Sequence, residues 1–258
     1  MSARSLPWAP FVLALAALLL LLAAPLAMLV AMVPAGDVLR AFATPEARAA
    51  LRTSGIASVS ATLLATILGV PAGYALAHAA RPVRAAALFL LALPPALPPV
   101  AAGILLLAVT GEHGPLGSLL ARFGLVIPDT RAGVALAEFF VGGSFVALGS
   151  CAAFASLDPA PAEAARTLGI GEWTIFARIC LPAATGTISA AISFAWLRAI
   201  GEYGATSIVA FHPTSLPVEI YVALSASGID RALALTYGCL ALAAGVLAVQ
   251  WILRARVV

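Results

Sequence analysis

Charged residues are scarce in this chain, and three of them lie inside long apolar stretches. Arg198 and Glu202 are four residues apart in one stretch, and Glu138 lies in another. A charge at membrane depth costs at least ~2.5–3.5 kcal/mol on insertion scales, so such charges are generally paired or functional. Residues at i and i+4 share a helix face, so Arg198 and Glu202 can neutralise each other. The pair therefore either lines a polar pathway or is a structural pair near the end of its helix.

The remaining reactive side chains form no catalytic or metal-binding set. Glu138 is six residues into its stretch, from which its carboxylate either snorkels to the interface or joins a pathway. The three cysteines and three histidines are scattered without ligand spacing. The sequence has no Gly-x-x-x-x-Gly-Lys-Ser/Thr loop and no Lys at all. We therefore predict that the chain is not an enzyme and holds no cofactor of its own.

The composition is that of an integral membrane protein. Apolar residues make up 63% of the 258 positions and charged residues 10%, against roughly 45–50% and roughly 25% in soluble domains. A water-soluble core of this length cannot hide so much apolar surface, so lipid has to solvate it. The net charge of +3 is small and the basic residues form no block, which gives no support to a nucleic-acid partner.

A membrane-spanning helix needs ~20 mostly apolar residues. The first candidate is longer than the ~7–15-residue apolar region of a signal peptide, so we interpret it as an uncleaved helix. The prolines at 94–99 exclude regular helix throughout the third, which predicts either a broken helix or a late start near Val100. We predict an all-α protein with six transmembrane helices. The candidates are 11–33, 54–77, 85–109, 132–154, 183–211 and 233–253.

One connection differs from the others. The segment 155–182, between the fourth and fifth spans, is long and amphipathic. Asp158 is a good N-cap, and Pro159 suits the first helical turn. The glycines at 169 and 171 predict a break, and Pro182 predicts the end of a second short helix. We expect helices at 159–168 and 172–179, bent against each other outside the membrane as a docking knob.

This loop carries a signature. It has Glu163-Ala164-Ala165, then Gly169 after three residues, then Ile179 and Leu181-Pro182. The pattern resembles the EAA loop of permease subunits of ATP-binding-cassette (ABC) importers. The resemblance implies a coupling helix that docks on a cytoplasmic ATPase and transmits its closure to the spans. The implied docking residues are Glu163, Ala164, Ala165, Gly169, Ile179, Leu181 and Pro182.

Further motifs resemble the molybdate, tungstate and sulfate branch of that family. They are Arg198-Ala199-Ile200-Gly201-Glu202-Tyr203-Gly204-Ala205-Thr206 and Leu216-Pro217-Val218-Glu219-Ile220-Tyr221. Tyr203 stands where the branch usually has Phe. The resemblance implies a small oxyanion substrate, with thiamine or ferric iron as alternative substrates. An ion-coupled secondary transporter is the alternative hypothesis from a different class of protein. The implied pathway or gate residues are Arg198, Gly201, Glu202, Tyr203 and Gly204.

The resemblance also implies topology and partners. Basic residues are divided almost evenly between the two sides, so the positive-inside rule does not choose an orientation. The EAA loop places 155–182 in the cytoplasm, and both termini with it, in a bacterial inner membrane. Implied partners are two ATPase subunits holding ATP and Mg²⁺, a second permease copy as a homodimer, and an extracytoplasmic substrate-binding protein. We divide the chain into an N-terminal helix with its outer loop, 1–53, and a five-helix core, 54–258.

Overall fold

The computed structural model describes residues 8–255 and is built of helices joined by short turns; that part of the chain contains no strand. The helices in chain order are α1 Ala9–Met32, α2 Ala35–Phe42, α3 Pro45–His78, α4 Arg81–Ala96, α5 Pro99–Thr110, α6 Pro115–Ala121, α7 Arg131–Ala155, α8 Ala160–Thr167, α9 Glu172–Ile175, α10 Leu181–Ile200, α11 Thr206–Val209, α12 Leu216–Ser227 and α13 Ile229–Ala255. A π-helical turn, Phe176–Cys180, joins α9 to α10.

Five helical segments are long and apolar enough to cross a membrane. They are α1, α3, α7, the continuous segment Glu172–Ile200, and α13. The pair α4 and α5 passes the same test together, and the two helices are bent by 106°. Counting that pair as one broken span gives the six predicted spans. The all-α membrane fold is therefore confirmed.

The proline cluster in the third span breaks the helix, as the first of our two alternatives predicted. Helix α4 continues through Pro94 and Pro95 and ends at Ala96. Leu97 is extended (ψ 142°), as expected for a residue before proline. Pro99 then starts α5 at the first helical position, where its missing N–H costs nothing.

The centre of the bundle is the contact between α3 and α7. Helix α3 has a small residue at every fourth position along one buried face. A Cβ added to Gly73 would lie 2.5 Å from Ser150 Cβ and 2.9 Å from the carbonyl oxygen of Ala147, both on α7. Such small residues let two membrane helices pack so closely that their backbones are in contact. The face consists of Ala57, Ala61, Ala65, Gly69 and Gly73.

Three predicted boundaries were wrong. The second span begins at Pro45 rather than 54, so part of the predicted outer loop is helical. The fifth span ends at Ile200 rather than 211, and α11 and α12 follow it as separate helices. The predicted helix 172–179 does not stop before Pro182 but continues through the π-turn into α10. The π-turn before Pro182 is wider than an α-helical turn. It leaves room for the proline ring, which would clash with the preceding turn of a regular α-helix.

Candidate functional site

The loop between α7 and α10 has a well-defined bend at Gly169. Gly169 adopts φ +75° directly after α8. Its N–H donates to the carbonyl of Arg166 (3.0 Å), and the N–H of Ile170 donates to the carbonyl of Ala165 (3.1 Å). This pair of bonds is the Schellman motif, in which a left-handed residue satisfies the last carbonyls of a helix. Gly169 is therefore required by the backbone conformation, as the sequence predicted.

The start of α8 lies one residue later than predicted. The Asp158 carboxylate accepts a hydrogen bond from the N–H of Ala160 at 3.0 Å. Pro159 occupies the N-cap position, and the first helical residue is Ala160. The predicted N-cap was therefore wrong by one residue, and Asp158 bonds the first helical residue from the position before the N-cap.

The predicted docking residues divide between surface and core. Glu163, Ala164, Gly169 and Pro182 are exposed. Ala165 is buried, and Ile179 and Leu181 are half-buried against the hydrophobic cluster at this end of the bundle. The motif therefore consists of an outward-facing part, available to a partner, and an inward-facing part that packs the loop onto its own chain.

The loop also exposes large apolar side chains that the motif did not identify. Leu168 is 79% exposed and Trp173 71%, and Ile170 lies between them along the chain with partial exposure. Apolar side chains clustered on an exposed surface mark interaction sites. Their signal in the sequence was apolar residues on either side of the Gly169 bend in an otherwise polar segment. We call Leu168, Ile170 and Trp173 the apolar tip.

Sequence reasoning also missed the polar contact that joins this loop to α3. The Glu172 carboxylate accepts two hydrogen bonds from Arg166, from Nε at 3.0 Å and from Nη2 at 2.8 Å. Its Oε1 also accepts a hydrogen bond from the Tyr74 hydroxyl near the end of α3. The Glu172 hydrogen bond raises the pKa of the Arg166 guanidinium above its ordinary value. We call Tyr74, Arg166 and Glu172 the clasp.

The predicted ion pair at the other end of α10 is present. Arg198 Nη1 lies 2.7 Å from Glu202 Oε2. Glu202 lies beyond the end of α10, and its Oε1 accepts a hydrogen bond from the N–H of Ala205 at 2.8 Å. The Glu202 side chain is 1% exposed and that of Arg198 is 31% exposed. Only the arginine therefore has a face open to its surroundings.

The neighbouring predicted pathway residues occupy the turn after α10. A Cβ on Gly204 would lie 2.6 Å from Pro99 Cβ, so this turn packs closely on the break between α4 and α5. Tyr203 is half-buried, with its ring 5.2 Å from that of Tyr221. Gly201 is exposed and has no close contact that excludes a side chain. The structure thus pairs Arg198 with Glu202 and packs Gly204 on the helix break, but gives Gly201 no steric reason to be glycine.

Glu138 does not snorkel to an interface, which corrects one of our two alternatives. It is 1% exposed, and its Oε2 has no hydrogen-bond partner. The Cβ contacts of Gly142 with Ala195 and of Gly149 with Ala191 show that α7 and α10 pack antiparallel. One turn before Gly142, Glu138 therefore faces the end of α10. There it interacts electrostatically with Glu202.

Within residues 8–255, no group of three or more His, Cys, Asp or Glu side chains could hold a metal ion. Two polar sites of the described chain contain residues that the sequence analysis named. One is the docking loop with its clasp. The other is the ion pair of Arg198 and Glu202, together with Glu138.

A bundle of apolar spans with a broken third span and a bent two-helix loop defines an all-α integral membrane protein. The chain belongs to the family of binding-protein-dependent transport system inner membrane components, whose model matches residues 65–255. The resemblance inferred from the loop is thereby confirmed.

Similar proteins carry related names. A probable molybdenum ABC transporter permease protein of Haloferax volcanii is 38% identical over 71% of this chain and 66% of its own length. A molybdate/tungstate transport system permease protein of Thermococcus kodakarensis is 33% identical over 66% and 64%. A sulfate transport system permease protein of Synechocystis is 34% identical over 63% and 59%. The chain thus spans slightly less than two thirds of the length of these relatives.

A solved structure supports the fold. A bacterial alginate ABC transporter, in complex with an alginate-bound periplasmic protein, contains a chain that superposes with a TM-score of 0.73. The superposition covers 95% of this chain and 91% of that one, at 16% identity. Identity this low supports the shared fold and nothing finer.

Proposed function

We propose that the chain is the permease subunit of an ABC importer that moves a small oxyanion across a bacterial inner membrane. The observation that carries the proposal is the exposed docking loop. Its outward-facing Glu163 and Ala164 and its apolar tip form a surface that no other part of the described chain covers. The family is defined by dependence on a binding protein, which supports an extracytoplasmic subunit that delivers the substrate.

Energy for transport comes from a separate subunit in this proposal. The chain has no Gly-x-x-x-x-Gly-Lys-Ser/Thr loop to hold a nucleotide. Two ATPase subunits, which bind ATP and Mg²⁺, dock on the loops of two permease copies. This arrangement puts residues 155–182 and both termini in the cytoplasm.

The substrate class follows from the relatives and from charge. Relatives at 33–38% identity are named for molybdenum, molybdate/tungstate and sulfate. The Arg198 side chain is partly exposed, while its partner Glu202 is buried. A partly exposed guanidinium can meet a passing oxyanion without leaving Glu202. We rank molybdate or tungstate first and sulfate next, ahead of thiamine and ferric iron.

The mechanism is a shift between two populations of the bundle. ATP closes the ATPase dimer and draws the two docking loops together, and the loaded binding protein favours the same outward-open state. Each ligand shifts the equilibrium only by its differential affinity for the two states. Hydrolysis then returns the bundle to the inward-open state.

Reconstitution tests this proposal. Proteoliposomes would contain the chain with its ATPase and binding protein, and uptake of labelled molybdate would be measured with and without internal ATP. We expect ATP-dependent uptake that excess tungstate inhibits and excess thiamine does not. Uptake that requires an ion gradient and proceeds without ATPase would establish a secondary transporter instead, with Glu138 and Glu202 as its candidate ion-binding acids.

A further inference from the structure

One carboxylate at the base of the docking loop joins three elements. Glu172, at the start of α9, binds Arg166 of α8 through both oxygens, and its Oε1 also accepts from Tyr74 of α3. Tyr74 and Glu172 are 98 residues apart in sequence. The clasp is therefore the polar contact that ties both helices of the loop to a membrane span.

Packing holds the α3 side of the clasp in place. The Tyr74 ring makes edge contacts with Phe154 of α7 at 5.2 Å and with Phe176 of the π-turn at 5.0 Å. The centroid of the Trp173 ring lies 5.2 Å from that of Phe176. Aromatic pairs at such distances prefer defined orientations. The Trp173 ring of the apolar tip is therefore joined to the Tyr74 ring through Phe176.

Helix α3 then extends from the loop to the opposite end of the molecule. It is one unbroken helix of 34 residues, which is about 51 Å long at 1.5 Å per residue. In its first half, Ser54 Oγ accepts a 2.7 Å hydrogen bond from the N–H of Leu216 at the start of α12. Ser58 Oγ accepts a 3.1 Å bond from Trp196 Nε1 of α10. The same rod thus contacts the docking loop at one end and α12 at the other.

We propose that Glu172 is a positioning residue for energy coupling, which transmits displacement of the docking loop to α3 through Tyr74. This inference rests on the proposed function, since it assumes that a partner ATPase moves the loop. Arg166 and Glu172 have side chains 38% and 53% exposed, and ion pairs this exposed add little to folding stability. The clasp therefore contributes little stability, but its bidentate arginine–carboxylate pair holds the two helices of the loop in a fixed geometry.

The test compares Tyr74→Phe, Glu172→Gln and the double variant in the complete reconstituted complex. Tyr74→Phe keeps the aromatic ring and removes only the hydroxyl, so the ATPase should still co-purify with the permease. We expect each single variant to lower the number of substrate molecules moved per ATP hydrolysed by at least about fivefold. The double variant should be no worse than the more severe single variant, because both act on the same three-residue contact: Tyr74→Phe removes its hydroxyl donor, and Glu172→Gln removes the charge that holds Arg166.

A matched control is available at the other end of the molecule. The Tyr237 hydroxyl donates to the carbonyl of Leu29 at 3.4 Å, far from the loop. Tyr237→Phe removes the same kind of bond and should leave the transport-to-hydrolysis ratio unchanged. An equal loss in Tyr237→Phe, or strictly additive losses in the double variant, would overturn the proposal.

The wild-type complex separates this inference from the proposed function. If wild-type complexes show no ATP-dependent uptake, the proposed function fails and this inference fails with it. If wild-type uptake depends on ATP while Tyr74→Phe and Glu172→Gln remain fully coupled, only the role of Glu172 is refuted.

Discussion

At the scale of single residues, two buried glutamates differ in how far their charge is compensated. Glu202 is held by Arg198 and by the N–H of Ala205. Glu138 has an oxygen without a hydrogen-bond partner and a second carboxylate nearby. Removing one member of a buried ion pair leaves the other uncompensated, whereas removing an unpaired buried charge can stabilise a protein. The two positions should therefore respond differently to the same substitution.

We predict that Glu202→Gln lowers stability by about 2 kcal/mol, a value reduced from the fully buried case because Arg198 is partly exposed. Glu138→Gln should change stability by less than about 1 kcal/mol or increase it. Thermal unfolding of the two variants in the same detergent measures the difference. Equal destabilisation by both substitutions would contradict the conclusion that the charge of Glu202 is compensated and that of Glu138 is not.

A second residue-scale prediction concerns the bend in the docking loop. Gly169 has φ +75°, which a β-branched residue adopts only with strain and which Asn adopts more readily. Gly169→Val should displace the apolar tip and reduce the ATPase recovered with the permease by about tenfold, while Gly169→Asn retains most of it. Quantitative co-purification distinguishes them, and full recovery with Val would show that the bend is not needed for docking.

Sequence reasoning predicted the bend at Gly169 and the Arg198–Glu202 pair because their spacing has a direct local meaning. It did not identify the clasp, because Tyr74 and Glu172 meet only through the packing of α3 against α7 and α10. It also allowed Glu138 to snorkel, since position along a span does not reveal which face of the helix is covered.

At the scale of elements, the packing of α3 on α7 depends on small residues at defined positions. A Cβ at Gly73 would lie 2.7 Å or less from Ser150 Cβ and the backbone nitrogen of Cys151. A Cβ at Gly55, on the same helix, would meet nothing within 4 Å. The two glycines thus provide a matched comparison within one element.

We predict that Gly73→Ala destabilises the protein by about 1–3 kcal/mol, because overpacking forces the two backbones apart. Gly55→Ala should be neutral or stabilising by up to about 1 kcal/mol, since alanine is the better helix former. Unfolding midpoints of the two variants test this. A loss at Gly55 as large as that at Gly73 would mean that helix propensity, not close packing, governs α3.

Element boundaries were predictable where hydropathy changes and were missed where it does not. Gly201 and Gly204 follow Ile200, but the predicted span ran past them because residues 208–211 are apolar again, so the end of α10 and the separate start of α11 were missed. Pro182 was interpreted as a stop, although the π-turn before it carries the helix through. The break at Leu97–Pro98 was predictable because consecutive prolines restrict the backbone directly.

At the scale of the whole molecule, the apolar surface indicates what surrounds it. The spanning window of α1 is only 6% buried within the chain, against 56% for α7. Helix α1 contacts the remainder mainly through Leu29 and Val33 at its end. Lipid or another subunit has to cover the rest of α1.

The division of the chain into an N-terminal part, 1–53, and a five-helix core, 54–258, stays a prediction.

The polar and apolar surfaces of the molecule indicate that the docking loop lies in water rather than in lipid. The apolar tip is an exposed apolar surface beside charged groups at the end of the spans, as expected of a docking site in water rather than a lipid-facing surface. The membrane-facing helices show the opposite pattern, with large apolar side chains and few charges. Under the proposed function, the docking loop must lie on the side of the membrane where ATP is available.

Thiol labelling at the docking loop tests this requirement most directly. Gly171 is exposed and a Cβ there meets nothing within 4 Å, while the native Cys151 and Cys180 are buried and Cys239 is half-buried. We predict that a membrane-impermeant thiol reagent labels Gly171→Cys in inside-out vesicles only, and that a bound ATPase prevents this labelling. Labelling from the outside of right-side-out vesicles would contradict the account.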